Sequence, residues 1–312
     1  MVDIVTLTPN PALDLSTSVE KMVPSRKLRC VAATRDPGGG GINVARVVRR
    51  FGGSVEAIYP AGGFTGQLLT SLLARERIPT RVVEVEAETR EDFSVTENDT
   101  GAQYRFVLPG QTLAEPEWHA MLTTLAATVP APRIVVGSGS LPPGVPADFY
   151  ARAAAVTKRL GAKFFLDTSG EPLVEALKHG VTLIKPNLRE MQGLAGRPLS
   201  SERDWVEAAR QHIDRGEVEI VALSLGHLGA VLITKDVALR SPALPVTAIS
   251  TVGAGDSFHG AITHALVQGR PLEDAFRLGL AAGSASLTMH GTELCRPADV
   301  ERLSREVVIE RL

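Results

Sequence analysis

Cysteine, excess charge and long apolar runs are what this sequence has least of, and each shortage excludes something. Cys30 and Cys295 are the only cysteines in 312 residues. Two thiols so far apart build no disulfide framework and fit a reducing cytoplasm. Lys and Arg number 33 against 35 Asp and Glu, a net charge of −2, so no global field draws the chain to nucleic acid or a membrane surface. A basic site for an anionic ligand therefore has to be local. No apolar run reaches the roughly 18 residues of a membrane span. Asp3 replaces the basic start of a signal peptide, and Pro9-Asn10-Pro11 interrupts the first apolar stretch. The 7 histidines are scattered without metal-ligand spacing. Internal repeats, low-complexity tracts and Ser/Gly linkers are missing as well. One large domain over residues 1–312 is the expectation, with ample chain for a core.

What is present is alternation. Apolar strands are expected at Ile4–Thr8, Val55–Pro60, Arg133–Gly137, Lys163–Asp167, Val181–Ile184, Ile220–Ser224 and Leu244–Ile249, with a hairpin partner at Ala230–Thr234. Helices are expected at Ile42–Phe51, Gly66–Arg75, Glu115–Val129, Ala147–Leu160, Pro172–His179 and Glu202–Arg215, with three more after Thr251. Strands and helices of these lengths in turn imply right-handed crossovers and a mainly parallel sheet covered on both faces, an α/β/α sandwich. Ligands of such sheets sit at the carboxyl ends of the strands. Gly38–Gly41, Ser140, Asp167, Asn187, Ser224 and Gly253–Asp256 all follow strands or open helices, so one rim can collect them.

The stretch Ser250-Thr-Val-Gly-Ala-Gly-Asp-Ser257 carries the chemistry. Gly253 and Gly255 lack Cβ atoms, so backbone N–H groups there can converge on an anion at the positive end of the following helix. Asp256 stands where a carboxylate can take a proton from a hydroxyl beside that anion. Phosphoryl transfer to an alcohol is one reading; a tight turn with Asp256 as a helix cap is the other.

Two segments break the alternation. Leu13–Ala33 and Arg90–Leu108 carry period-2 patterns with no helix between them, Lys27 and Arg29 opposite Leu28 and Cys30, and Gln103 and Arg105 opposite Tyr104, Phe106 and Leu108. They read as antiparallel strands of a small lid sheet, contributed by about 13–35 and 88–110, with one basic and one apolar face. So small a sheet cannot bury its own apolar side, and packing on a second copy of the chain is expected. Lys27, Arg29 and Arg90 would make the local positive spot.

Gly39-Gly-Gly-Ile-Asn-Val-Ala-Arg46 and Thr251-Val-Gly-Ala-Gly-Asp-Ser257 resemble the two signature motifs of the ribokinase-like, or PfkB, sugar kinases. Asn10-Pro-Ala-Leu-Asp14, Lys27-Leu-Arg-Cys30, Gly139-Ser-Leu-Pro-Pro-Gly144, Lys185-Pro-Asn-Leu-Arg-Glu190 and Ser224-Leu-Gly226 follow in the family's order. The resemblance spans essentially the whole chain and implies a ribokinase-like fold. Lys27-Leu-Arg-Cys30 and the four glycines before Ile42 are similar to the branch that phosphorylates fructose 6-phosphate; kinases of fructose 1-phosphate and tagatose 6-phosphate share the rest. Arg26 departs from the pattern, where relatives often carry Gly.

The resemblance implies Asp256 as general base and Thr251, Gly253, Ala254 and Gly255 as the anion hole. It implies Asp14, Asn43, Gly39 and Gly40 around the sugar hydroxyls, and Lys27, Arg29, Arg90 and Ser140 around the sugar's phosphate and body. Lys185, Ser224 and Gly226 are implied at the ATP phosphates and ribose. Asn187 and Glu190 match the family's Asn-x-x-Glu motif for magnesium held through water, with Asp167 nearby, and a capping carboxylate is the plain alternative for Glu190. The helix segment Ala281-Ala-Gly-Ser-Ala-Ser286 is expected to wall the adenine. A potassium ion near the loop before the anion hole is also implied. A sugar-phosphate sensor without turnover is the alternative from another class; it has no need of Asp256. Ser138 and Ser140 lack the nucleophile elbow of a hydrolase, and Gly38–Gly41 lacks the Gly-Lys-Ser/Thr of a Walker loop. No acidic residue ends the strand at Tyr59 or Pro60 to complete a dinucleotide fingerprint.

Overall fold

The computed structural model describes residues 2–312. The first part of the chain runs β1 (Ile4–Leu7), β2 (Ala12–Val19), β3 (Thr34–Gly38), α1 (Gly40–Arg50), β4 (Val55–Ala61), α2 (Gly63–Arg75), β5 (Thr80–Glu84), β6 (Arg90–Glu97) and β7 (Gln103–Phe106). Then come α3 (Glu115–Ala126), β8 (Ile134–Ser138), α4 (Phe149–Arg159), β9 (Lys163–Asp167), α5 (Glu171–Leu177), β10 (Val181–Ile184) and α6 (Leu188–Ala195). The last part holds α7 (Glu202–Asp214), β11 (Val218–Ser224), β12 (Ala230–Ile233), β13 (Ala238–Ser241), α8 (Ala254–Val267), α9 (Leu272–Leu287), α10 (Pro297–Ser304) and β14 (Glu310–Arg311).

A 10-stranded sheet takes the order β14-β13-β12-β11-β10-β9-β8-β1-β4-β5. It is parallel from β11 to β5 and antiparallel beyond β11. β1 is buried along its whole length, as a central strand covered on both faces must be. Its side chains divide between two cores: Ile4 lies with residues of α1, α8 and α9, and Val5 and Leu7 lie with residues of α3 and α4. The winding reverses between β1 and β8, so a crevice opens at their carboxyl ends. Pro9 and Pro11, which have no N–H to pair, end β1 there and send the chain out into a second sheet.

That second sheet has 4 strands in the order β3-β2-β6-β7. β2 pairs antiparallel with β3 and β6 with β7, but β2 and β6 are parallel, which corrects the expectation of an all-antiparallel lid. Lys27 and Arg29 are on no strand. Pro24 and Ser25, the latter at φ 59°, turn the chain away, and residues 20–33 form an irregular, largely exposed arm. The lid faces also differ from a simple basic and apolar pair. Register places Asp36, Asp14 and Asp92 side by side across three strands, with Arg90 and Arg105 on that same face. This mixed polar face meets the body, where Gln103 Nε2 donates to Ser250 Oγ (3.2 Å) and Thr292 Oγ1 to Asp36 Oδ2 (2.7 Å). The opposite face, with Phe93, Tyr104 and Phe106, is exposed.

Leu244–Ile249 is not a strand either. Pro245 removes one donor from the segment and Pro242 another just ahead of it, and it runs as irregular chain into the loop before α8. β5, β13 and β14 carry too weak a pattern to be read in advance. His259 and His264 are both buried, as expected of core histidines, and His264 stacks on Phe51.

Candidate active site

Two helices that begin at the crevice, α1 and α8, have no side-chain cap, a feature shared by the short α5, which is entered from Gly170 at φ 67°. α1 is entered from Gly39 at φ 108° and α8 from Gly253 at φ 73°. Both angles lie in the left-handed region that a side chain disfavours. Space is as restrictive: a Cβ on Gly40 would lie 2.2 Å from Ser138 Oγ, and one on Gly253 would lie 2.5 Å from Leu294 Cδ2. The first-turn N–H groups of these helices have no intrahelical acceptor, so two positive helix ends face one crevice.

Asp256 is in the first turn of α8 without capping it. Its Oδ2 instead accepts from Asn43 Nδ2 of α1 at 2.9 Å, across 213 residues of sequence. Burial pushes the Asp256 carboxyl above its ordinary pKa, while the Asn43 bond and the charges of Lys185 and Arg105 pull it back. The result is a buried carboxylate that favours a proton more than an exposed one does, held by one oxygen.

A cavity of about 260 Å³ beside it is lined by Gly40, Ser138, Gly139, Ser140, Asp167, Thr168, Ser169, Glu190 and Asp256. Lys185 Nζ is 3.3 Å from Asp167 Oδ2 and would be 3.3 Å from a Cβ on Gly255, so the ammonium lies under the anion loop. Burial, and the charges of Asp256 and Glu190 against the pull of Lys185, raise Asp167 to about 6. Burial works against the Lys185 ammonium, but Asp167, Asp256 and Glu190 outweigh it and raise its pKa. Asn187 caps α6: its Oδ1 accepts from Glu190 N (2.9 Å), and Glu190 Oε2 accepts from Asn187 N (2.8 Å). The capping role thus exists, and it occupies one oxygen of Glu190 while the residue still lines the cavity. Among the described residues no group of three or more His, Cys, Asp or Glu can grip a metal directly. Acidic side chains that repel one another around an open cavity suit a cation that keeps its waters, as Mg²⁺ does.

Next to it, a cleft of about 690 Å³ runs over the carboxyl end of the sheet. Asn187, Ser224, Gly226 and Thr251 line it, as do Ala254 and Gly255 of the anion loop. The irregular segment Ala243–Ala248 and Leu280, Gly283, Ser284 and Leu287 of α9 form its apolar wall. The segment misread as a strand is therefore a wall of the site. Lys185 is not among the residues lining this cleft.

On the lid side, Asp14 faces the crevice from β2; burial and the neighbouring Asp92 raise it to about 7 against the pull of Arg90, Arg105 and Arg46. Gly38 leaves room for it, since a Cβ there would be 2.4 Å from the carboxyl carbon. Ser140 Oγ accepts from Asn10 Nδ2 at 3.1 Å. Arg90 is already held: Nη1 donates to Asp92 Oδ1 (3.1 Å) and Leu108 O (2.9 Å), and Nη2 to Asn10 O (3.2 Å). Its Nε is buried without a partner among the described residues. Lys27 and Arg29 are exposed on the arm, with no hydrogen bond or ion pair among the described residues. Within one chain they do not join Arg90. Asn10, Asp92 and Arg105 were missed as site residues; Asp92, two residues after Arg90 on a strand of period 2, was the readable one.

Open helix ends, a held carboxylate and a cleft of about 690 Å³ beside them define a phosphotransferase of ribokinase-like architecture. The chain belongs to the pfkB family of carbohydrate kinases, whose model matches residues 10–299. It is 48% identical over 299 residues to an ATP-dependent 6-phosphofructokinase isozyme 2 of Mycobacterium tuberculosis, covering 96% of this chain and 88% of that protein. The Escherichia coli protein of the same name is 41% identical over 304 residues, covering 97% and 98%. A crystal structure of phosphofructokinase-2 from E. coli with substrates and products superimposes with a TM-score of 0.94 at 40% identity, covering 98% of this chain and 99% of that one. A ribokinase from Thermotoga maritima, 23% identical with a TM-score of 0.78 over 98% of this chain and 100% of that one, shares the fold. Family membership carries with it the use of ATP and Mg²⁺.

Proposed function

We propose that the protein transfers the γ-phosphoryl group of ATP to the 1-hydroxyl of fructose 6-phosphate, giving fructose 1,6-bisphosphate. The observation that carries the chemistry is Asp256, held through one oxygen by Asn43 at an uncapped helix start. The choice of sugar rests on the relatives named 6-phosphofructokinase. In this reading Asp256 Oδ1, which takes no hydrogen bond among the described residues, receives the proton of the acceptor hydroxyl as general base. The N–H groups of Gly253, Ala254 and Gly255, with Thr251, hold charge on the transferred group. Asp14, Asn43, Gly39 and Gly40 orient the sugar hydroxyls. Ser140 and Arg90 meet the sugar's phosphate, which a guanidinium can grip bidentately once it gives up its present partners. Lys27 and Arg29 complete that grip when the arm meets the site.

Asn187, Ser224 and Gly226 hold the nucleotide in the apolar cleft, and Lys185 balances negative charge beneath the anion loop. Glu190 and Asp167 would hold magnesium through its waters; when bound, the ion neutralises charge on the phosphates. A potassium ion near the loop before α8 is part of the same reading, as is a homodimer through the exposed face of Phe93, Tyr104 and Phe106. An E. coli phosphofructokinase-2 is described as tetrameric in an inhibited form. A cytoplasmic location belongs to the same reading, since two cysteines so far apart fit a reducing compartment.

ADP release measured with fructose 6-phosphate, fructose 1-phosphate and tagatose 6-phosphate tests the reading. The highest kcat/KM is expected for fructose 6-phosphate. A preference for either other sugar moves the protein to a sister activity, and binding without ADP release makes it a sensor.

A further inference from the structure

We propose that Arg46 is a positioning residue for phosphoryl transfer: by keeping the Asn43 amide in one flip it holds one oxygen of Asp256 in a hydrogen bond and leaves the other open to the acceptor. The inference rests on the kinase reading above and concerns a residue that touches neither substrate. Arg46 is 1% exposed, the largest of the fully buried side chains. All five of its N–H donors are aimed. Nε donates to Glu76 Oε1 and Oε2 (2.9 and 3.1 Å), and Nη2 lies 2.7 Å from Glu76 Oε1 and 3.5 Å from Asp36 Oδ1. Nη1 donates to the carbonyl of Pro37 (2.9 Å) and to Asn43 Oδ1 (3.4 Å).

The last of these decides the orientation of an amide. Asn43 and Arg46 are three apart on α1 and share a face. Arg46 at Oδ1 and the Asp256 carboxylate at Nδ2 both select the same flip of Asn43. With the amide turned over, its carbonyl would face the carboxylate and an N–H₂ would face the guanidinium, so both contacts would become repulsive. The Pro37 contact, just before Gly38–Gly41, ties the same guanidinium to the backbone leading into α1. Stability does not call for such a group, because a buried ion pair is often matched or bettered by apolar packing of the same volume. Its fork geometry matters instead, since an ammonium cannot reach Glu76, Pro37 and Asn43 together.

The test is Arg46→Lys, assayed with ATP and fructose 6-phosphate, with folding checked by circular dichroism and melting. We expect kcat to fall about 10–100-fold, as a small misplacement of a reacting group does, with the KM for ATP within about threefold, while the KM for the sugar, which Asn43 also meets, is free to rise. A packing defect alone would lower kcat by reducing the folded fraction. The positioning role also moves the acid limb of the kcat profile to higher pH, because the Asn43 bond that lowers the Asp256 pKa is weakened. The other groups facing Asp256, namely Lys185, Arg105 and Asp167, are unchanged.

A folded Arg46→Lys enzyme with kcat within twofold of wild type and an unmoved limb overturns the proposal and leaves the kinase reading intact. An inactive wild type sinks the kinase reading instead. Should Arg46→Lys fail to fold, the neutral pair Arg46→Met with Glu76→Gln is judged by the same criteria. Failure of both to fold assigns Arg46 to stability alone and overturns the proposal too.

Discussion

Four helix starts in this protein divide into two kinds. α6 and α7 are closed: Asn187 with Glu190, and Ser201 with Asp204, form reciprocal caps that satisfy the N-terminal donors within the helix. α1 and α8 are open: each is entered from a glycine at positive φ and carries no side-chain cap. An uncapped end buried beside a crevice costs stability unless something else meets its donors. The difference sets helix ends that hold the fold together against ends whose donors are free to meet an anion, and a missing cap is not enough by itself, since α5 is entered the same way from Gly170 at φ 67°. It also explains the residues around each. The Asp204 carboxylate in α7's first turn accepts from its own cap, Ser201, whereas Asp256 in α8's first turn bonds across to Asn43 of the other open helix.

The sharpest way to break this contrast is at the open ends. Asp256→Asn is expected to lower kcat about 10²–10⁴-fold, the usual worth of a general base, while calorimetry shows fructose 6-phosphate affinity changed by no more than a few-fold. Undiminished turnover would remove Asp256 from the chemistry. Gly253→Ala puts a Cβ at φ 73° against Leu294 and misaims the anion loop. A loss of about 10²-fold in kcat is expected, comparable to deleting one donor of an anion hole.

Next comes the exposed face of the lid. Phe106→Asp places a charge on that apolar surface, and sedimentation should find monomers with weakened sugar-phosphate affinity. A variant that stays dimeric refutes this interface. Asp14→Asn gives a smaller effect with a defined sign. The folded carboxyl titrates near 7 and the unfolded one near 3.8, so between those values the folded state binds more protons and stability falls as pH rises. Removing the carboxylate should raise the melting temperature of the ligand-free protein at pH 8 but not at pH 4, and weaken sugar binding. An equal shift at both pH values would show that burial is not the cause. The closed ends should respond least: Ser201→Ala is expected to cost about 1 kcal/mol of stability and to leave kcat within error in the ADP-release assay.

Much of the architecture was readable because its signals are local. Strand–helix alternation predicts the parallel sheet, and glycine pairs before apolar helices mark the open ends. The misreadings share a cause: they concern what lies beside a segment rather than within it. Leu244–Ile249 has an apolar pattern but no strand to pair with. Lys27-Leu-Arg-Cys30 alternates as a strand would, yet the turn at Pro24 and Ser25 leaves it outside the lid sheet. The acidic row of Asp36, Asp14 and Asp92 is visible only once register is known.

By itself the sequence determined the class of fold, the glycine-rich entries to α1 and α8, and the carboxylate at the head of α8. These are properties of short windows, where periodicity and backbone freedom act. Only the tertiary structure decided that Asn43 reaches Asp256, that Arg46 is spent inside the protein, and that the lid turns its polar face inward. Each of these joins residues far apart in the chain, and what brings them together is the packing of α1 against α8 and the pairing of β2 with β6, which no local pattern encodes.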